Sequence, residues 1–172
     1  ATQAEATLSG ITAFGTDGYT LGASDLWSEN STSFASWNWK ANGAGSLNEV
    51  GSIDSTVSAN TTSGFSIVSY AGNSTAGATI GHSLGVAPKM IIVKDRDGAD
   101  SWVVYHNSLA ITEYLILNST SAALTDNEVI FYDTDPTSSV FTVGAHNTVN
   151  QSGHNYIAYC FAEKQGYSKF GS

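Results

Sequence analysis

Hydrophobic and polar residues alternate with period two along most of the chain, and no segment keeps the i, i+3, i+4, i+7 spacing of an amphipathic helix over three turns. The pattern predicts strands at YTLG from Tyr19, FASWNWKA at 34–41, GFSIVSY at 64–70, ATIGH at 78–82 and PKMIIVK at 88–94. Further strands are expected at SWVVYHN (101–107), EYLILN (113–118), EVIFYD (128–133), VFTVG (140–144) and NYIAYCFAE (155–163). In FASWNWKA, Ala35, Trp37 and Trp39 share one face, which predicts a core position for both tryptophans and, by the same alternation, for Trp102. Met90–Val93 is apolar on both faces, as a central strand covered on both sides would be. Residues 42–63 are rich in Gly, Ser and Asn and read as a connector carrying at most one edge strand. ATQAEATL could open a short helix but has no good capping residue. The fold class is therefore all-β, with turn residues spaced as in an antiparallel sandwich or barrel and little or no helix.

An internal echo suggests how the chain is organised. Tyr19-Thr20-Leu21-Gly22 matches Phe141-Thr142-Val143-Gly144, and Phe34-Ala35-Ser36-Trp37-Asn38-Trp39 matches Tyr156-Ile157-Ala158-Tyr159-Cys160-Phe161, both at the same offset. Residues 1–43 then correspond to the C-terminal part of a unit whose fuller copy spans 64–165, with 44–63 between them. Packing of the two parts into one domain is expected, because a lone half-unit would expose strand edges.

Composition narrows the function. Charged residues are only 12% of the 172, and Ser, Thr, Asn and Gly supply the polarity, as in extracellular or virion β-proteins. A net charge of −9 with one arginine, Arg96, argues against nucleic acid and anionic membrane partners. No apolar run reaches the ~20 residues of a spanning helix, so no membrane insertion is expected. The chain opens without Met, as a processed product or an excised fragment would. A single cysteine, Cys160, alternates with Tyr156 and Ala158 and reads as a buried, inert thiol.

Several short motifs carry possible chemistry. Gly81-His82-Ser83-Leu84-Gly85 matches the G-x-S-x-G elbow of esterases, with Asp133, Asp135, His146 and His154 downstream in a suitable order. The elbow needs a helix directly after the serine, whereas Pro88 and a β-branched run follow; a loop between strands is the better reading, and no enzyme is expected. Lys94-Asp95-Arg96-Asp97-Gly98-Ala99-Asp100 has the spacing of a calcium loop without its closing Glu, and Asp-Gly is also a hairpin turn, so Asp95, Asp97 and Asp100 are an outside choice for calcium and no other cofactor is implied. Glu113, Glu128 and Asp133 are the acids embedded in strand patterns, which leaves a glycosidase pair open. His82, His106, His146 and His154 lack metal-ligand spacing. Trp27, in the polar stretch ASDLWSENSTS, suits sugar stacking or partner contact as well as loop packing. N-x-S/T triplets stand at Asn30, Asn60, Asn73, Asn118 and Asn150.

The strings GFSIVSYAGNSTAGATIGHSLGVAPKMIIVK, SWVVYH, PTSSVFTVG and YIAYCFAEKQGYSKFGS resemble an uncharacterised repeat domain of large virion proteins of marine tailed bacteriophages, often found beside laminin-G or concanavalin-like domains. The resemblance covers 64–172, with 18–43 similar to the tail of a preceding repeat. It implies a jelly-roll or concanavalin-like β-sandwich on a virion surface or tail fibre, located outside the cell, and it transfers no catalytic residue. The function expected is a non-enzymatic module that binds host-surface glycan through loops 23–33, 71–77 and 145–154, with Trp27, Asn30, Asn73, His146 and His154 as contact residues. The alternative is a structural module that decorates a capsid or assembles a fibre, its partners being other virion proteins or copies of itself in a homo-oligomer. A serine hydrolase acting through Ser83 is the remote third.

Overall fold

The computed structural model describes residue 4, residues 10–23 and residues 25–171. The chain divides into two compact units, Glu5–Trp39 and a larger one built on Lys40–Ser172. The smaller unit holds a two-stranded antiparallel pair, β1 (Ile11–Phe14) and β2 (Tyr19–Leu21), and a single helical turn, α1 (Asp25–Ser28).

The larger unit is an antiparallel β-sandwich. Its strands are β3 (Ser46–Asn48), β4 (Ser55–Asn60), β5 (Phe65–Ala71), β6 (Ala78–Gly81), β7 (Met90–Asp95), β8 (Val103–His106), β9 (Glu113–Ile116), β10 (Leu124–Thr125), β11 (Val140–Val143) and β12 (Asn155–Phe161). One helical turn, α2 (Asn147–Asn150), precedes β12. Eight strands form one sheet in the order β10-β9-β8-β7-β12-β5-β4-β3, and β11 pairs with β6 in a second, small sheet. The last strand of the chain thus lies between β5 and β7, where every residue from Tyr156 to Phe161 faces a partner on both sides.

Period-two patterning decides which face is covered. Val57 on β4, Val68 and Tyr70 on β5, Tyr156, Ala158 and Cys160 on β12, Ile91 and Val93 on β7, and Val103 and Tyr105 on β8 all point inward and are buried. They meet Ala78, Ile80, Phe141 and Val143 of the small sheet, with Ile53, Leu84, Ile130, Phe131 and Val149 from the connections closing the same cluster. Burying side chains of this size contributes roughly 1.5–3 kcal/mol each. Cys160 lies within that cluster, and burial pushes its thiol up to about 12, which leaves it protonated and unreactive. β7 is central as its pattern predicts; its inward Ile91 and Val93 are wholly buried and its outward Met90 and Ile92 half-buried.

Four expectations need correction. The alternation at 34–41 predicts a strand, yet residues 32–42 contain none, and Trp37 and Trp39 are 76% and 51% exposed instead of core. Alternation yields a strand only where a neighbouring strand takes up the backbone hydrogen bonds. Trp102 also leaves the core: it precedes β8 by one residue, falls on the opposite face from Val103, and stacks on Tyr159 with ring centroids 6.5 Å apart. The connector 42–63 carries two strands, β3 and β4, of which β4 is internal. Its inward Ser55 and Val57 are buried, so small residues serve a closely covered sheet where large ones would not fit. The helix considered over ATQAEATL lies outside the described residues.

The fourth correction concerns EVIFYD. Residues 128–133 form turns, because Asp126, fully buried, accepts hydrogen bonds from the backbone N–H groups of Val129 (3.1 Å), Ile130 and Phe131 (2.7 Å). Wrapping around one carboxylate forces Asn127, Glu128, Tyr132 and Asp133 to positive φ, and it drives the consecutive residues Ile130 and Phe131 into the core together. Gly144 packs directly against this coil, where a Cβ would run into the Val129 carbonyl. Replacing Asp126 with Ala strands buried amides and is expected to lower stability by roughly 2–4 kcal/mol. A urea titration checks this: the midpoint should fall with the slope unchanged, and an unshifted midpoint would show that the carboxylate does not hold the coil.

Candidate functional site

At one end of the sandwich, two tyrosines connect the core to the loops. Tyr70 of β5 and Tyr156 of β12 are cross-strand partners whose rings stack 5.2 Å apart at 17° inside the core. Their hydroxyls reach past the end of the sheet. Tyr70 donates to the Val149 carbonyl at 2.8 Å, while Tyr156 donates to the Asn147 carbonyl and accepts from Gln151 N–H at 2.8 Å. Burial pushes both phenols well above their ordinary range, so they stay neutral donors.

The turn they hold carries Asn150, which is fully buried. Its Oδ1 accepts from Asn73 N–H at 2.9 Å, and its Nδ2 donates to the Thr75 and Gly144 carbonyls, both at 2.9 Å. Loop 71–77 is thereby sewn to loop 145–154. Further stitches are Ser74 N–H to the Asn150 carbonyl (2.8 Å), Gly72 N–H to the His154 carbonyl (2.9 Å) and Ser152 N–H to Ser74 Oγ (2.9 Å). Gly72 sits so close to the Gln151 carbonyl that no side chain fits there.

The charged part of this end is the turn after β7. Asp95, fully buried, accepts at Oδ1 from Asp97 N–H (2.9 Å) and Gly98 N–H (3.0 Å), and at Oδ2 from His154 Nδ1 (2.8 Å). Lys94 Nζ donates to the Asp95 carbonyl and, at 2.8 Å, to that of Gly98. Asp97 accepts from both the backbone and side-chain amides of Asn155, which together hold its carboxyl below the usual range. Because Asp95 takes the Nδ1 proton, His154 Nε2 faces Gln151 Nε2 at 2.8 Å as an acceptor; protonation there would require the Gln151 amide to turn and present its oxygen. The hydrogen bond to Asp95, with the charges of Asp95, Asp97 and Asp100, holds His154 above its ordinary pKa.

Of the contact residues expected from the sequence, Asn73, His146 and His154 meet at this end. Asn73 is exposed and uses Oδ1 to accept from Thr75 N–H at 2.8 Å. His146 caps α2, its Nδ1 accepting from Thr148 N–H at 3.2 Å. Trp27 and Asn30 belong to the smaller unit: Trp27 is 41% exposed on α1, its ring close to Gly10, and Asn30 is exposed in the turn that follows. Asn150, visible in the sequence only as a glycosylation triplet, is the buried organiser; both its amide protons are committed to carbonyls. Tyr70 and Tyr156 look like ordinary strand aromatics, and only their register reveals the shared role.

The other candidates are spread out. Ser83, at φ 56°, accepts from Asn48 Nδ2 at 2.8 Å, while the neighbouring His82 ring turns inward, its Nε2 on the Thr137 carbonyl (3.2 Å) and its Nδ1 accepting from Leu84 N–H. Glu113 accepts from Ala110 N–H on β9, and Asp133 from Glu128 N–H in the coil around Asp126. Asp135 accepts from the Tyr105 hydroxyl at 2.8 Å, and His106 from Ser108 N–H. Asp95 and Asp97 are taken up by protein donors, and among the described residues no group of three or more His, Cys, Asp or Glu side chains is arranged to hold a metal ion. Among those residues, no helix is long and apolar enough to cross a membrane.

A family model described as "Domain of unknown function (DUF7483)" matches residues 1–172. The chain belongs to this family. No curated protein and no solved structure shows a significant match. The description attaches no activity to a DUF7483 domain, so function has to be argued from the site.

Two histidines, His154 at this end and His82 away from it beside Thr137, give the fold an opposed pH response. His154, with its folded pKa raised, contributes stability that is complete below pH ~6.5 and lost as pH rises through the folded value. His82, lowered chiefly by burial, contributes stability that is complete above pH ~6.5 and lost as pH falls toward its folded value. Urea midpoints measured across about pH 5 to 8 should therefore fall on both sides for the native chain. His154→Gln should flatten the alkaline limb and His82→Asn the acid limb; an alkaline limb unchanged by His154→Gln would contradict the assignment.

Proposed function

We propose that this chain is a non-enzymatic surface or tail-fibre module of a bacteriophage virion that binds host-surface glycan. The reading is supported by the looped end of the sandwich, where Asn150 and the tyrosine pair hold exposed amide and imidazole groups on a fixed frame. Neutral glycans are rich in hydroxyls, and a preorganised set of donors and acceptors recognises them at low entropic cost. The charge of −9 disfavours polyanionic partners. The alternative role, in capsid decoration or fibre assembly, draws on the smaller unit, where Phe14 and Trp37 are 81% and 76% exposed.

A glycan array probed with the purified chain should yield a defined set of neutral oligosaccharides, with host-cell binding competed by the same sugars. An empty array together with no cell binding would overturn the glycan reading. Sedimentation of the same sample tests the alternative, which a strict monomer with no affinity for virion proteins would exclude.

A further inference from the structure

Beside the looped end, on the outward face of the large sheet, lies a shallow dish of about 210 Å3 lined by Leu47, Asp54, Thr56, Ser69, Ala71 and Asn155, with the backbone of β4 and β5 as its floor. Ligand pockets for drug-sized molecules run to ~300–1,000 Å3, so the dish suits something the size of one sugar ring. We propose that it is a subsite for a single neutral sugar residue of the bound glycan; the assignment rests on the glycan reading above and adds the place and the contacts.

The register creates the arrangement. Thr56 and Ser69 are direct cross-strand partners, with side chains about 5 Å apart. Asp54 stands one same-face step before Thr56, about 7 Å along the strand, and Asn155 pairs with Ala71 in the adjoining row. Asp54, Thr56 and Ser69 make no side-chain hydrogen bond among the described residues, unlike most polar side chains at this end. Asn155 has given its Nδ2 to Asp97 at 2.9 Å, which fixes the amide and leaves Oδ1 as an acceptor. Hydroxyl groups on a sugar both donate and accept. The Asp54 carboxylate and Asn155 Oδ1 accept from them, and the Thr56 and Ser69 hydroxyls complete the set in either sense.

The apolar parts fit the same ligand. Leu47 is 68% exposed at the rim and Ala71 is exposed beside it, so the C–H face of a pyranose has a small apolar surface to rest on. Asp54 and Asp97 make the dish anionic, which disfavours sialic and uronic acids and selects neutral sugars.

The test is a titration of the full chain with galactose, glucose, mannose and N-acetylglucosamine, followed by amide 1H–15N shifts, with glucuronic acid as the acidic comparator and the glycan array run in parallel. The expected result is saturable shifts at Asp54, Thr56, Ser69, Ala71 and Asn155 for at least one neutral sugar. Glucuronic acid should bind more weakly. Asp54→Ala should weaken that binding about tenfold or more, since a charge-assisted hydrogen bond is lost, and Ser69→Ala by less, both variants melting as the native chain does because these positions are surface. Saturable sugar binding with shifts elsewhere, unaffected by Asp54→Ala, would overturn the subsite while leaving the glycan reading in place. Array hits with no free sugar shifting these amides would do the same. No free sugar bound and an empty array would overturn both.

Discussion

Stacking of Tyr70 on Tyr156 is the contact through which the core dictates the loops. Each ring belongs to the sheet and is held there by antiparallel pairing; each hydroxyl belongs to the turn 147–151 and satisfies backbone groups that the short helix leaves open. With the turn fixed, Asn150 is presented at the depth where its amide can reach loop 71–77 and the Gly144 carbonyl at once. Removing either tyrosine would therefore disturb loops that it does not itself touch.

Buried charge is used in a consistent way. Asp95 and Asp126 are both fully buried carboxylates, and each is satisfied mainly by backbone N–H groups of the turn that follows it. A carboxylate with several backbone donors bends a chain tightly, which a neutral turn residue does less strongly. In a chain where only 12% of residues are charged, these two shape loops instead of decorating the surface. The result is an end built of short, cross-bonded segments carrying Asn73, His146 and His154, and next to it a dish in which Asn155 is fixed by Asp97 while Asp54, Thr56 and Ser69 make no side-chain hydrogen bond among the described residues.

Much of the sandwich could be read from alternation alone. β5, β7 and β12 are long, strongly patterned strands that find partners on both sides, and Cys160 is buried because Tyr156 and Ala158 share its face. Alternation failed where the deciding interaction was not local. Phe34–Ala41 alternates as well as β12 does but pairs with no strand among the described residues; EVIFYD is as apolar as a strand but is wound around Asp126; β4 is too rich in Ser and Thr to look buried, yet sits inside the sheet. The site was legible as loops and not as a frame. Asn73, His146 and His154 stand out as polar residues in turns, whereas the frame depends on contacts between residues far apart in sequence: Tyr70 with Val149 and Tyr156, and Asn150 with Asn73 and Thr75.

Native-state hydrogen exchange addresses the frame most directly. The amides of Asn73, Ser74 and Gln151 lie in loops, but each donates to Asn150 or Tyr156. If those two residues fix the looped end to the core, the three amides should exchange only through large-scale unfolding, at rates that climb with added denaturant like those of β12. Exchange at the rate of open loops, insensitive to denaturant, would show that the end moves independently of the core and would contradict the account.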